Sequence, residues 1–316
     1  MGLKQIARIT MLLIFSPIAV SANDSNLVQQ EYFHFGSWVA FGIILTAVLI
    51  SWLLNHAVPK VRALGTLLAA TACFSIVIWF VGILGTGILE NPKPNQTPMD
   101  SAKPMLLWIQ VSLAMVAGLV LLMTSYRQSR SSEVLNLPAK NEPERYGFVS
   151  RMVHWITAIL FLSLIPMGIF TSMIPEGTWF RNEYYVTHKT IGVTIFGLLL
   201  FRIFWNRLSK RPVLDAALKP FERRWAHRVH IALYVLLIAM PVTGYVMTSF
   251  HGFPTFFFGL ELQPLWEKSQ AYIIWGTFHK YILQYLIYII LGAHIVGALK
   301  HHYIDKKRSA FKRMAS

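Results

Sequence analysis

The chain has 316 residues, of which 55% are hydrophobic and 14% charged, with a mean hydropathy of +0.49. Soluble domains carry about a quarter charged residues, so this composition excludes a soluble enzyme and predicts an all-α, polytopic membrane protein. The formal net charge of +15 falls in short loops between apolar runs, which fits membrane topology and argues against nucleic acid. A single cysteine, Cys73, excludes an intramolecular disulfide, a cysteine-ligated iron–sulfur cluster and C-x-x-C-H haem attachment.

Residues 1–22 begin basic (Lys4, Arg8), continue as a short apolar run broken by Pro17, and end on Val20-Ser21-Ala22. That pattern predicts a signal peptide. Seven spans follow, at about Gly36–His56, Ala63–Leu89, Pro104–Ser125, Met152–Ile174, His188–Asn206, Val229–Phe250 and Ile274–Lys300. The loops alternate in charge. Asn55–Arg62, Tyr126–Arg151, Arg207–Arg228 and the tail are basic, whereas Glu90–Lys103, Pro175–Thr187 and His251–Trp275 are poorly so. The alternation predicts the mature amino terminus outside and the carboxyl terminus in the cytoplasm. The polar stretch Gln128–Tyr146, with Pro138 and Pro143, reads as a linker. The expected organisation is therefore a three-helix membrane unit at 23–127, a cytoplasmic linker at 128–145 and a four-helix unit at 146–316.

Four histidines in the last four spans carry the chemistry: His154, His188, His279 and His294. An ionisable side chain in an apolar span is costly and marks function by default. The topology puts His154 near the cytoplasmic face and His188 near the outer face. On the seventh span His279 is outer and His294 inner. Matching depth pairs His154 with His294 and His188 with His279. Fifteen residues separate the last two, roughly 22 Å along a helix and most of the ~30 Å hydrocarbon thickness. The spacing suits two b-type haems, one near each face. An iron held by two imidazoles favours electron transfer over oxygen activation.

The remaining polar groups keep two readings each. His227 and His230 flank the cytoplasmic start of the sixth span, and His301 and His302 follow His294 by two turns. They are either basic residues at headgroup level or the lining of a quinone pocket beside the cytoplasmic haem. Arg202 either snorkels to the interface or pairs with a haem propionate. Lys280 snorkels, pairs with a propionate or guides an anion. His34 and His56 belong at the interfaces, and Met152, Met167, Met240 and Met247 in the packing. Trp155, Trp179, Trp205, Trp225, Trp266 and Trp275 fall mostly at span ends, as an aromatic belt does. The loop His251–Ser269, with Phe256-Phe257-Phe258-Gly259-Leu260, is apolar for an exposed loop and is expected to dip back as a lid over the outer haem.

At these residues the chain resembles the bacterial cytochrome b561 family of di-haem membrane cytochromes. The resemblance rests on Arg151-Met-Val-His154-Trp155, Pro166-Met-Gly168, His188-Lys-Thr-Ile-Gly192, Arg202 with Trp205, and Ala226-His227-Arg-Val-His230 with Tyr234. It continues through Pro241-Val-Thr-Gly244, Phe258-Gly259-Leu260, His279-Lys280, His294, His301-His302 and Arg313-Met314, over roughly residues 146–315. It implies a four-helix bundle, two haems b held by His154, His188, His279 and His294, a place in the bacterial cytoplasmic membrane, and electron exchange with ubiquinone or menaquinone. Some members are similar to superoxide:ubiquinone oxidoreductases; related bundles are cytochrome subunits of dehydrogenases and hydrogenases. Two features depart from the pattern. The family usually spaces its last two ligands about fourteen residues apart, and the extra residue here turns His294 from about −40° to about +60° relative to His279, so a helix bulge or rotation is expected. The three amino-terminal spans are not explained by the resemblance.

The expected function is electron transfer between an outer-face donor and membrane quinone. The donor is a small anion, which Arg181, Lys189 and Lys280 would suit, or a redox protein. One rival is an anchor cytochrome of a larger dehydrogenase, which predicts a copurifying partner subunit. The other is a haem-free transporter, which predicts colourless protein and lacks support from any inverted repeat.

Overall fold

In the computed structural model, the described residues are 24–84, 103–178, 181–212, 218–258, 260–304 and 314, with backbone alone at 24–35, 83, 302 and 303. The expected signal peptide, most of the proline-rich loop Asn91–Lys103, Trp179, the His302 side chain and the basic tail lie outside them.

Seven helices among the described residues are long and apolar enough to cross a membrane. Helix α1 is Asp24–Leu54, α2 Pro59–Leu84, α3 Lys103–Ser129, α4 Phe148–Met173, α5 Arg181–Leu208 and α6 Pro220–Phe250. A hairpin of β1 (Thr255–Phe257) and β2 (Leu260–Leu262) follows. The seventh span opens as α7 (Ala271–Thr277), passes through a π turn at Phe278–Ile282, continues as α8 (Leu283–Leu299) and ends in a second π turn at Lys300–Ile304. The protein is thus an all-α polytopic membrane protein with one small hairpin that the hydropathy pattern does not reveal. The helices also outrun the apolar runs. Helix α5 begins at Arg181 and α6 at Pro220, because hydropathy marks the part that lipid covers while backbone hydrogen bonding carries on into the interface. His188 therefore lies two turns inside its helix instead of at its edge.

Helix α4 is the hub. Half of its most apolar window is buried, against 6–28% in the other six spans. One apolar core joins Ala40 and Ala47 of α1 to Ile156 and Leu160 of α4 and to Ile191 and Ile195 of α5. The other joins Phe80 of α2 and Leu107 and Val111 of α3 to Ile169, Phe170 and Met173 of α4. Both cores straddle the boundary between the amino-terminal helices and the last four spans. Lipid tails are as apolar as leucine, so in a bilayer close packing and hydrogen bonds hold helices together. Both are present. A Cβ on Gly36 would lie 2.8 Å from the Glu183 carbonyl oxygen, so α1 and α5 touch backbone to backbone, and the Thr187 hydroxyl donates to the Gly36 carbonyl at 3.0 Å. Ser51 donates to the Met152 carbonyl, and the fully buried Arg151 donates through Nε to Asn55 at 2.7 Å. On the other side Lys103 donates to Ser172 and Gln110 to the Tyr288 hydroxyl.

Of the segment 128–145, the part after Ser129 is irregular but pinned at both ends. The Leu135 amide donates to the Ala57 carbonyl, and Arg62 to the Glu133 carbonyl. Asn141 donates twice to Ser209 at the end of α5 and accepts from the Gly147 amide. A Cβ on Gly147 would fall 2.2 Å from the Lys140 carbonyl oxygen, which makes glycine necessary where the strap turns into α4.

Candidate functional site

Three spans place the candidate ligands: α4 carries His154, α5 His188, and the seventh span both His279 and His294. The structure brings His188 and His279 together, with ring centres 6.4 Å apart and ring planes at 84°. Each ring lies against a glycine of a third or fourth helix. A Cβ on Gly168 of α4 would stand 3.1 Å from Cε1 of His188, and one on Gly244 of α6 would stand 2.9 Å from Cε1 of His279. Both glycines closely follow a proline inside their helix, Pro166 and Pro241. A proline removes one ladder hydrogen bond and bends the helix; the glycine then leaves room for an imidazole at the bend. The paired signal, Pro-x-Gly and Pro-x-x-Gly in apolar spans, was visible in the sequence, but its role as a wall for the histidines was not.

The tautomer of His279 follows from its neighbours. Its Nδ1 is 3.0 Å from the Met240 carbonyl oxygen and 3.3 Å from the Thr243 hydroxyl. The Thr243 hydroxyl donates to the Ala239 carbonyl at 2.7 Å, so Nδ1 carries the hydrogen and donates to Met240. Nε2 keeps its lone pair, which is the arrangement of a metal-binding imidazole with its second nitrogen locked. The carbonyl of Met240, a residue read as packing, is thus the orienting acceptor. Nδ1 of His188 is buried and has no hydrogen-bond partner among the described residues.

The π turn at Phe278–Ile282 contains His279. A π turn inserts one residue into the α repeat, so it absorbs the extra residue between His279 and His294. Of the two expectations for the fifteen-residue spacing, a bulge or a rotation, the structure has the bulge. It returns the second histidine to the face it would occupy after about fourteen α steps.

The other end is arranged differently. His294 lies beside His230 of α6, ring centres 5.2 Å apart. His154 lies near Arg202, His294 and His230 and packs edge-on against Trp155, whose Nε1 donates to the Met314 carbonyl. Arg202 and Arg211 approach the Tyr234 ring at 5.5 and 5.2 Å, and Asn206 donates to the Tyr234 hydroxyl. His230 is exposed, whereas Arg202, Tyr234 and His294 are half-buried. His301 stands near Glu222. His56 meets Trp52 edge-on at the end of α1 and accepts from the Val58 amide, an interfacial role.

Above the His188–His279 end sits a cationic group. His251 feels Lys280, Lys268 and Lys189, and burial together with those charges holds its imidazole below the usual histidine range. Lys189 also donates to the Pro254 carbonyl at 3.3 Å. Arg181, grouped with these lysines on sequence grounds, lies 3.6 Å from Glu176 and over the Tyr185 ring instead.

Comparison with known proteins bears on this arrangement directly. Residues 145–316 match the family described as prokaryotic cytochrome b561. The chain belongs to that family. Cytochrome b561 homolog 2 of Escherichia coli (strain K12) is 31% identical over 176 residues, which is 55% of this chain and 93% of that protein. Cytochrome b561 homolog 1 of the same organism is 23% identical over 172 residues, 54% and 97%. A Yersinia pestis protein named "Probable superoxide oxidase CybB" is 24% identical over 175 residues, 54% and 96%. This chain is therefore a multi-pass bacterial membrane protein of electron transfer, and proteins of its family bind haem b.

The residues fit that group. Two imidazoles on opposite sides of one metal, with bonds of about 2 Å, have ring centres roughly 6 Å apart, and the His188–His279 separation of 6.4 Å matches. At 5.2 Å, His230 and His294 are too close to share a metal in this way.

Proposed function

We propose that this cytochrome b561 protein holds two haems b, one between His188 and His279 and one between His154 and His294, and passes single electrons between an outer-face donor and membrane quinone. The observation that carries this reading is the His188–His279 pair, spaced for one iron and with His279 locked in the coordinating tautomer. When bound, haem b supplies a one-electron carrier whose iron is closed to exogenous ligands.

The protein groups then divide the remaining work. Met240 and the two glycines fix the outer imidazoles. Arg202 is placed to meet a haem propionate at the inner site, and His230, exposed beside His294, is placed to hydrogen-bond a quinone carbonyl and pass it a proton. The quinone is ubiquinone or menaquinone. By the charge of the loops, the His188 end faces outward and the carboxyl terminus lies in the cytoplasm. Lys189, Lys268 and Lys280 raise the local concentration of an anion at the outer end. Superoxide is the donor that fits both this charge and the name of the Yersinia relative. Two superoxide anions give two dioxygen molecules and two electrons, and with two protons these convert one quinone to quinol. Residues 23–127 serve as a membrane unit that braces the bundle, and 128–145 ties it down at the cytoplasmic face.

The test is the reduced-minus-oxidised visible spectrum of the detergent-purified protein with its haem-to-protein ratio. A b-type spectrum with about two haems per chain is expected. Colourless but folded protein would overturn the reading. Superoxide should reduce the purified cytochrome at a rate that falls as salt is raised, because steering of an anion is screened.

A further inference from the structure

The hairpin that follows α6 is built for lipid. We propose that Phe258, Leu260 and Leu262, together with Trp38 and Phe41 of α1, form one interfacial patch seated in the membrane leaflet at the His188 end, with phospholipid as its occupant.

Depth is the first argument. The tip of the hairpin touches α1: the Phe258 ring meets Phe41 edge-on with centres 6.3 Å apart, and Phe41 meets Trp38 at 5.8 Å. Phe41 lies five residues after Gly36, where the apolar run of the sequence begins, roughly 7.5 Å along the helix. The first strand is fastened at a similar level on α5, where Thr190 donates to the Phe256 carbonyl at 3.2 Å and Lys189 to the Pro254 carbonyl at 3.3 Å.

The tip conformation is the second. Phe258 has φ of 49°, in the left-handed region that costs a residue with a Cβ about 1 kcal/mol or more. A tip in water is served better by asparagine or glycine. An aromatic side chain repays the strain when its ring has apolar surroundings on all sides, and Phe41 supplies one side of them.

Polarity is the third. Phe258, Leu260 and Leu262 are 40, 64 and 38% exposed, an apolar surface that a water-facing loop would carry at a loss. It is continuous through Phe41 and Trp38 with the lipid-facing surface of α1, so the same solvent covers both. Side chains alternate along a strand, which puts Glu261 on the opposite face from Leu260 and Leu262, paired with Phe256. A two-stranded sheet leaves an outer edge of unpaired backbone groups, which the hydrocarbon centre does not tolerate. The hairpin therefore lies in the headgroup and upper acyl region, leucines inward and Glu261 toward water, in the way amphipathic interfacial elements do. The two faces of the His188 end then differ in kind. Near α6 and α7 a cationic group faces an aqueous donor; near α1 and α5 the lid is seated in lipid and grips the residues that follow His188.

The chain has one cysteine, so a Cys73→Ser background accepts single spin labels through Leu260→Cys, Glu261→Cys or Leu262→Cys. Collision accessibility is read in lipid nanodiscs, with retention of the haem spectrum as the check on folding. Labels at 260 and 262 should collide with oxygen in preference to a water-soluble nickel reagent, and the label at 261 should show the reverse. Adding Phe258→Asn, which suits the turn, should move the label at 262 toward the nickel reagent. Nickel access at all three positions would place the hairpin in water and overturn the proposal. Shielding from both reagents would mean that protein covers the patch, either a second copy or a partner subunit, and would overturn it equally.

Discussion

The two ends of the seventh span carry one candidate haem ligand each, yet they are built on opposite principles. At the His188–His279 end the rings are held by close packing and backbone, with two glycines against the rings, a carbonyl on Nδ1 and a π turn that sets the helix phase, and the lysine group lies by His251 beyond them. At the His154–His294 end the neighbours are charged or exchangeable: Arg202, Arg211, Tyr234 and the exposed His230. The first arrangement holds a cofactor in one geometry. The second leaves polar groups within reach of a further molecule. In the proposed di-haem carrier this difference would assign the tasks, with a rigid receiving site at one end and a site of exchange with quinone at the other.

The most severe way to break the comparison is to remove a ligand from each end. His279→Ala and His294→Ala should each abolish about half of the bound haem, since one imidazole of a bis-histidine pair does not hold b-type haem, which has no covalent attachment, as two do. Haem-to-protein ratios and the residual spectra check this. If either variant retained full haem, the assignment of that pair would fall.

The glycines sharpen the contrast at intermediate cost. Gly244→Ala puts a methyl 2.9 Å from the His279 ring, and Gly168→Ala puts one 3.1 Å from His188. The ring must leave its preferred rotamer, at about 1 kcal/mol, which is about a fivefold weaker retention of the outer haem. Gly244→Ala should exceed Gly168→Ala, because its contact is shorter and because moving His279 also stretches its bond to Met240. Haem loss on dilution, followed by absorbance, orders the two. An equal or inverse order would mean that the rings yield elsewhere.

Much of this was legible in the sequence, for reasons specific to membranes. Seven apolar runs are a strong signal because the bilayer demands length and hydrophobicity together, and histidines inside them stand out because burying them is costly. Depth matching joined His188 to His279, whose rings lie together, and the spacing of His279 and His294 led to an expected bulge or rotation, of which the bulge is present at Phe278–Ile282. The unread parts depend on contacts between distant segments. Nothing local in Met240 announces that its carbonyl orients a histidine. Gly36 looks like an ordinary start of a span until α5 is seen against it. The strap at 128–145 has a linker's composition, and its folding depends on Ser209 and Ala57 far away in the chain. The β-hairpin is too short for a periodic signal, and its aromatic run reads equally well as loop.

The subtlest discrimination concerns His230. It stands 5.2 Å from His294, ring centre to ring centre, and is exposed, so the two ends make opposite statements about a histidine next to a ligand. His279 and His188 have the spacing of two imidazoles on one metal; His230 lies nearer to His294, without room for a metal between them. His230→Gln should therefore leave the haem content and the spectrum of both haems unchanged, in contrast to His294→Ala. Glutamine keeps a hydrogen-bond donor but not the geometry or the proton exchange of imidazole, and one imperfect hydrogen bond is worth about 0.5–1.5 kcal/mol. The expected result is a rise of several-fold in the quinone KM, with electron entry from the outer donor undisturbed. Stopped-flow reduction of the haems and steady-state quinone reduction separate the two steps. Loss of haem in His230→Gln would instead make His230 a ligand and remove His154 from that role.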